Sequence, residues 1–330
     1  MSEGLEAARQ PKPLDYPWIA LGKLCATIAL LIFLTRSVDV AAILEHLRRM
    51  DSSYALAAFG VGMVQIAIAG QRWRYIANAT KTADDRLFSI AKSVQVTWAA
   101  QAVSQFTPMM AGDAIRVLLM RQSGATLRTS FKSVLLDRGF GLAALFALAA
   151  ASMLLTPQIM SAGPCARLVA WICGIGLGGT VFLFVFARHI DAWGARWPAL
   201  GVMTSAILDM RRLCLSPRQG PIIAGLCLIV HAMSAVILAL LLRAQAVEIG
   251  IAETLAIVSL MSLSAVAPFA FAGWGVREGL IVALSSAIGM TPEASLLLSL
   301  SFGTVILAAS IPGGIIFMLP LCQATAQRDD

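Results

Sequence analysis

Two arginines in this chain stand where charge is expensive. Arg277 belongs to the run Ala267-Pro268-Phe269-Ala270-Phe271-Ala272-Gly273-Trp274-Gly275-Val276-Arg277-Glu278-Gly279. Arg116 closes a weaker echo of it, Phe106-Thr107-Pro108-Met109-Met110-Ala111-Gly112-Asp113-Ala114-Ile115-Arg116. Each run sets a proline, small residues and glycine before an arginine and a carboxylate, inside strongly apolar sequence. Hydrocarbon accepts neither broken backbone nor charge unless protein or water shields them. A guanidinium is planar, always protonated and forked, which suits it to phosphate oxygens. Asp113 and Glu278 are the carboxylates nearest in sequence to hold the two arginines in place. Gly112, Gly273 and Gly275 would let backbone approach a ligand closely. Pro108 and Pro268 would free the starts of two short helices, one near Ala114 with Asp113 as its cap and one at Val276. Unpaired N–H groups at such starts attract anions. The same arginines could instead be ion pairs that pin the broken segments.

Other residues carry weaker signals. Asp137-Arg138 reads as an interfacial cap or as a wall of a head-group pathway. Arg72 and Arg74 read as topology anchors beside Trp73 and Tyr75. Gln95, Gln101 and Gln105 could line a wet groove or bond neighbouring helices. Trp274 lies inside the second break; the other tryptophans and Met109-Met110 read as packing and interface residues. His231 reads as a hydrogen-bonded packing residue within a span, and Asp84-Asp85 as a solvated loop pair.

Several chemistries have no signature here. Histidines at 46, 189 and 231 show no metal-ligand spacing, and the six cysteines include no Cys-x-x-Cys pair. No Ser/His/Asp or Cys/His grouping, phosphate loop or dinucleotide fingerprint is present, so neither a catalytic residue nor a cofactor is expected. A basic nucleic-acid-binding face is also missing, because the arginines lie between apolar runs.

The elements that must position these residues are membrane helices. Charged residues make up 13% of the chain and apolar ones 58%, against about a quarter charged in soluble domains. Apolar runs occupy 18–35, 53–70, 134–155, 168–187, 222–242 and 294–319, with an amphipathic stretch at 38–50. Two further segments are interrupted. Residues 87–121 carry Lys92 and three glutamines, and 254–289 contain the second break. The polar stretch 189–220 reads as a loop.

Charge constrains how these runs cross. Residues 71–92 and 116–138 are both densely positive, which places both in the cytoplasm. Residues 87–121 should then enter and leave on one side, and 254–289 on the other. The expectation is an all-α polytopic membrane protein with about six full spans and two re-entrant or broken hairpins. It would be a single domain over 1–330, built as an inverted repeat of 1–160 and 165–330, with both termini cytoplasmic. Each hairpin could also be a pair of true spans, since hydropathy alone does not separate the two.

The carriers of a wider likeness are Gln71-Arg72-Trp73-Arg74, the 106–116 run, Ser133-Val134-Leu135-Leu136-Asp137-Arg138, Gly273-Trp274-Gly275-Val276-Arg277-Glu278-Gly279 and Ser310-Ile311-Pro312-Gly313-Gly314. With these the chain resembles the lysylphosphatidylglycerol synthase transmembrane (flippase-like) family over nearly its whole length. The resemblance implies a lipid translocase of the bacterial inner membrane, without the soluble aminoacyl-lipid synthase that bifunctional members carry. The first break departs from the family pattern, with Met109, Met110 and Ala111 where smaller residues and glycines are usual. The expected partner is a membrane phospholipid or a glycosylated, aminoacylated or polyprenyl-linked lipid, with a lipid-biosynthetic enzyme as candidate protein partner. An integral-membrane glycosyltransferase or its accessory subunit, and a small-solute secondary transporter, are the alternatives.

Overall fold

The computed structural model describes residues 45, 48–82, 88–107, 109–160, 163–194, 201–264 and 274–318. Expectations for the 18–35 span, most of the 38–50 stretch, Asp84-Asp85, Pro108, Pro268, Gly273 and the C-terminal residues from 319 lie outside these. All regular structure among the described residues is helical.

Helix α1 (Ser52–Ala79) starts where the Asp51 carboxylate accepts the Ser53 amide at 2.9 Å. It does not stop at the Arg72-Trp73-Arg74 cluster but continues to Ala79. Trp73 is fully buried there, so the cluster faces other helices rather than marking a boundary.

Ser89 caps α2 (Ile90–Phe106) by accepting the Lys92 amide at 3.2 Å. Thr107 is extended, and α3 (Met109–Gln122) folds back against α2. Helix α3 begins well before Ala114, so Asp113 lies inside it and caps nothing. Met109, Met110 and Ala111 are good helix formers, and the helix starts as soon as Pro108 is passed. Gly112 sits where the two arms touch. A Cβ there would overlap the Ser104 hydroxyl and the Ala100 carbonyl oxygen.

Thr126 caps α4 (Leu127–Leu155), accepting the Thr129 amide at 3.2 Å. The early start puts Asp137-Arg138 about 15 Å along the helix, at 1.5 Å per residue, instead of at its mouth. After α5 (Pro157–Met160) come α6 (Pro164–Gly194), α7 (Gly201–Leu215) and α8 (Gln219–Ala244). Helix α7 replaces part of the expected 189–220 loop. It buries Thr204, Ala206 and Leu213, and its polar face is tied down by Lys132–Asp209 at 2.6 Å and by Arg212 donating to the Ala79 carbonyl at 3.3 Å. Helices α9 (Ile251–Ser264), α10 (Val276–Ala283) and α11 (Pro292–Met318) complete the order, with a 3-10 turn at Ser285–Ile288.

Five of the described helices are long and apolar enough to cross a membrane: α1, α4, α6, α8 and α11. The chain is a polytopic membrane protein. Ile237, Leu238 and Leu241 of α8 form its largest core with Ile257 and Leu260 of α9 and Leu298 of α11. The Trp98 indole of α2 donates to the Ala309 carbonyl of α11 at 2.7 Å, in the turn before Pro312 removes a helix donor.

Helices α2 and α9 begin at opposite ends of α1. Helix α2 begins beside the C-terminal end, where the Phe88 amide donates to Asn78 Oδ1 at 2.8 Å and Arg74 donates to the Phe88 carbonyl at 2.9 Å. Helix α9 begins beside the N-terminal end. There the Asp51 amide donates to the Ala244 carbonyl at 3.0 Å, and Tyr54, Leu242, Ile251 and Thr254 line one groove.

Candidate functional site

The first arginine centre joins α1, α3 and α4. Asp137 Oδ1 accepts Arg72 Nε at 2.8 Å, and its Oδ2 accepts Arg116 Nη2 at 2.8 Å. Asp113 lies 3.7 Å from Arg116 Nη1 but is taken by Arg138, which donates to it three times at 2.9–3.1 Å. The expected Asp113–Arg116 ion pair is present but long, and the shorter bonds of Arg116 and Arg138 run crosswise, to Asp137 and Asp113. Residues three apart in α3 lie on one face but only graze, whereas α4 presents Asp137 directly to Arg116. Arg72, read as a topology anchor, is a largely buried member of the network.

Trp73 lies against this centre. Arg116 Cζ stands 4.3 Å from the indole centroid, and the indole N–H donates to Ser133 Oγ at 3.1 Å. A desolvated cation over an indole face gains about 2 kcal/mol. The reading of Trp73 as an interface residue is corrected accordingly. On the α8 side, Arg72 Nη1 reaches Cys227 Sγ at 3.9 Å, and His231 Nε2 lies 3.2 Å from the Gly141 carbonyl. His231 therefore serves helix packing, as expected.

The second centre sits at the start of α10 against α11. Glu278 is wholly buried. Its Oε1 accepts Arg277 Nη2 at 2.7 Å, Arg277 Nε at 3.0 Å and the Ser299 hydroxyl at 3.1 Å. Its Oε2 accepts the Gly275 amide at 2.5 Å. Gly275 has a φ of 84°, a conformation that favours glycine. Its N–H is therefore given to Glu278 as a helix cap, not left for a ligand. Trp274 stacks 4.7 Å from Arg277. Gly303 of α11 makes room for both: a Cβ there would overlap Arg277 Nη2 and crowd the Trp274 ring.

The two centres share a composition of arginine, carboxylate, tryptophan and serine. At 1.5 Å per residue, Arg72 and Asp137 lie roughly 10–15 Å from the nearer ends of their helices. Ser299 and Gly303 lie roughly 10–16 Å from the start of α11, which is at the opposite end of the bundle. Sequence reading found Arg116, Arg277, Asp113, Glu278, Asp137, Arg138 and Trp274. It missed Arg72 and Trp73 as members, together with Ser133, Ser299 and Gly303. The Ser299-x-x-x-Gly303 spacing, a small-residue pair in an apolar run, was the available signal for the last two. Among the described residues, no group of three His, Cys, Asp or Glu side chains is placed to hold a metal.

The family model described as lysylphosphatidylglycerol synthase TM region matches residues 19–313. No curated protein matches the chain.

Proposed function

The chain belongs to the lysylphosphatidylglycerol synthase TM region family, and on that footing we propose that it is an inner-membrane flippase for a phosphate-containing lipid. Arg116 and Arg277 would hold the phosphate in turn, one from each side of the bilayer. Asp137, Asp113 and Glu278 set the poise of the arginines, while Trp73 and Trp274 keep one guanidinium face dry. Gly112 serves the site indirectly by letting α2 and α3 close, and Gly275 and Gly303 let Arg277 and Glu278 sit together. Gly273, Pro268 and Pro108 belong to the proposed breaks that end the hairpins.

The observation that carries this reading is the pairing of like arginine centres with helices α2 and α9, the first arms of the proposed hairpins, which begin at opposite ends of α1. A head group must cross about 30 Å of hydrocarbon, and a charged station part-way in from each side divides that path. The proposal includes an inverted repeat of 1–160 and 165–330 whose halves rock against one another. It places the basic end, with Arg121, Arg128, Arg211, Arg212 and Arg218, in the cytoplasm together with both termini. Reconstitution in liposomes with labelled phospholipids tests the reading: accelerated movement between leaflets supports it, and no acceleration for any native lipid sinks it.

A further inference from the structure

The groove beside the start of α1 has a volume of about 880 Å³, and none of the residues of the two arginine centres lines it. That size falls within the range of small-molecule sites. Its long wall is one face of α8. Ala235, Ala239 and Arg243 recur there at every fourth residue, so the apolar part runs about 12 Å along the helix from Arg243. Helix α8 is long and apolar enough to cross the membrane, so this trough runs in the direction of a lipid chain. Two alanines leave it room, and Val236 and Ile251, 46% and 82% exposed, show that its side opens outward.

The other end of the groove lies where α8 stops and α1 and α9 start, which is head-group level. Tyr54 stands there, with a ring suited to that boundary. Arg243 and Glu248 face the same groove, and both are exposed. Among the described residues neither side chain has a hydrogen bond or an ion pair. Glu45 and Arg49, beside the adjoining smaller cavity, satisfy one another at 2.7 Å and leave these two unused. A guanidinium fork suits a phosphodiester, and a carboxylate suits an ammonium that can donate to it. We infer that the groove seats a phospholipid with a phosphoethanolamine head group. One chain lies along Ala235 and Ala239, the phosphate meets Arg243 and the primary ammonium meets Glu248. This seat does not rest on the flippase reading, since a bound lipid need not be a transported one.

Photolabelling of the purified full chain in maltoside detergent, with phosphatidylethanolamine carrying a diazirine in one chain, tests this apart from transport. Label that unlabelled lipid can displace should map to 235–243 and 251–255. Dioctanoyl phosphatidylethanolamine should displace it about tenfold better than dioctanoyl phosphatidylglycerol or phosphatidylcholine. Choline is cationic but has no N–H to give Glu248, so its arm separates charge from hydrogen bonding. Glycerophosphoethanolamine, the head group without chains, should compete more weakly by about tenfold or more; equal potency would overturn the assignment to a lipid. Glu248→Gln should abolish the preference over phosphatidylglycerol, and Arg243→Gln should weaken all three lipids by about tenfold. Both side chains are exposed and unpaired, so the variants should keep the thermal midpoint of the unmodified chain. Displaceable label confined to other segments, equal competition by the three lipids, or a ranking unchanged in Glu248→Gln would overturn the inference. Selective labelling without translocation in liposomes would instead sink the flippase reading and leave this seat standing.

Discussion

Asp137 and Arg116 meet at 2.8 Å although Asp113, three residues from Arg116 on the same helix, stays at 3.7 Å. The other oxygen of Asp137 holds Arg72, so one α4 side chain clamps α1 and α3. Removing it would leave two buried guanidinium groups without their partner. Asp137→Ala should lower stability by about 3–5 kcal/mol, read as thermal unfolding of the purified protein in detergent. Asp113→Asn should cost about 1 kcal/mol or less, because Arg138 is 40% exposed and can turn to water. The reverse ranking would mean that the clamp is misidentified.

Close helix contact makes a second prediction. At Gly112 a new Cβ would strike the Ala100 backbone carbonyl, which cannot swing away, and at Gly303 it would strike Arg277 and Trp274. Gly112→Ala and Gly303→Ala should each destabilise by about 1–3 kcal/mol. Gly174 faces open space, so Gly174→Ala should be neutral or stabilise by about 0.5–1 kcal/mol through helix propensity. Thermal midpoints of the three variants give the comparison, and equal effects would contradict it.

Ala246 ends α8 with a φ of 54° while its amide bonds the Arg243 carbonyl at 2.9 Å and the Val247 amide bonds Leu242 at 3.0 Å. That closing turn normally carries glycine. Ala246→Gly relieves a left-handed alanine and should stabilise by about 1 kcal/mol, seen as a higher thermal midpoint. A lower midpoint would show that the loop gains more from restricting the unfolded chain.

The legibility of each feature in the sequence depended on how local its signal was. The α2–α3 hairpin was legible because polar residues interrupt 87–106 and Pro108 marks the turn. The Arg277–Glu278 pair was legible because its members are adjacent. The Arg72–Asp137 bond was not, since its partners stand 65 residues apart and no pattern within either helix points across. Arg72-Trp73 imitates an interfacial belt in composition, and only burial against α3 and α4 separates the two meanings. Helix α7 was hidden by Asp209, Arg211 and Arg212, whose polarity suggested a loop although Asp209 and Arg212 share one helix face and Arg211 lies over Phe184 of α6. The start of α3 was misplaced because proline and glycine outweighed the helix preference of Met109, Met110 and Ala111.

Both arginine centres move the lipid head group in this proposal, and the second centre offers the cleaner test. Arg277→Ala alone would strand the buried Glu278 carboxylate and confuse folding with function. The double variant Arg277→Gln, Glu278→Gln removes both charges, keeps the shape at 278 and leaves a polar side chain at 277. Its translocation of labelled phosphatidylglycerol in liposomes should be compared with the unmodified chain at matched folded yield and thermal midpoint. A loss of about tenfold or more in rate is the expected result. An undiminished rate in the double variant, or no acceleration by the folded unmodified chain, would contradict the claim.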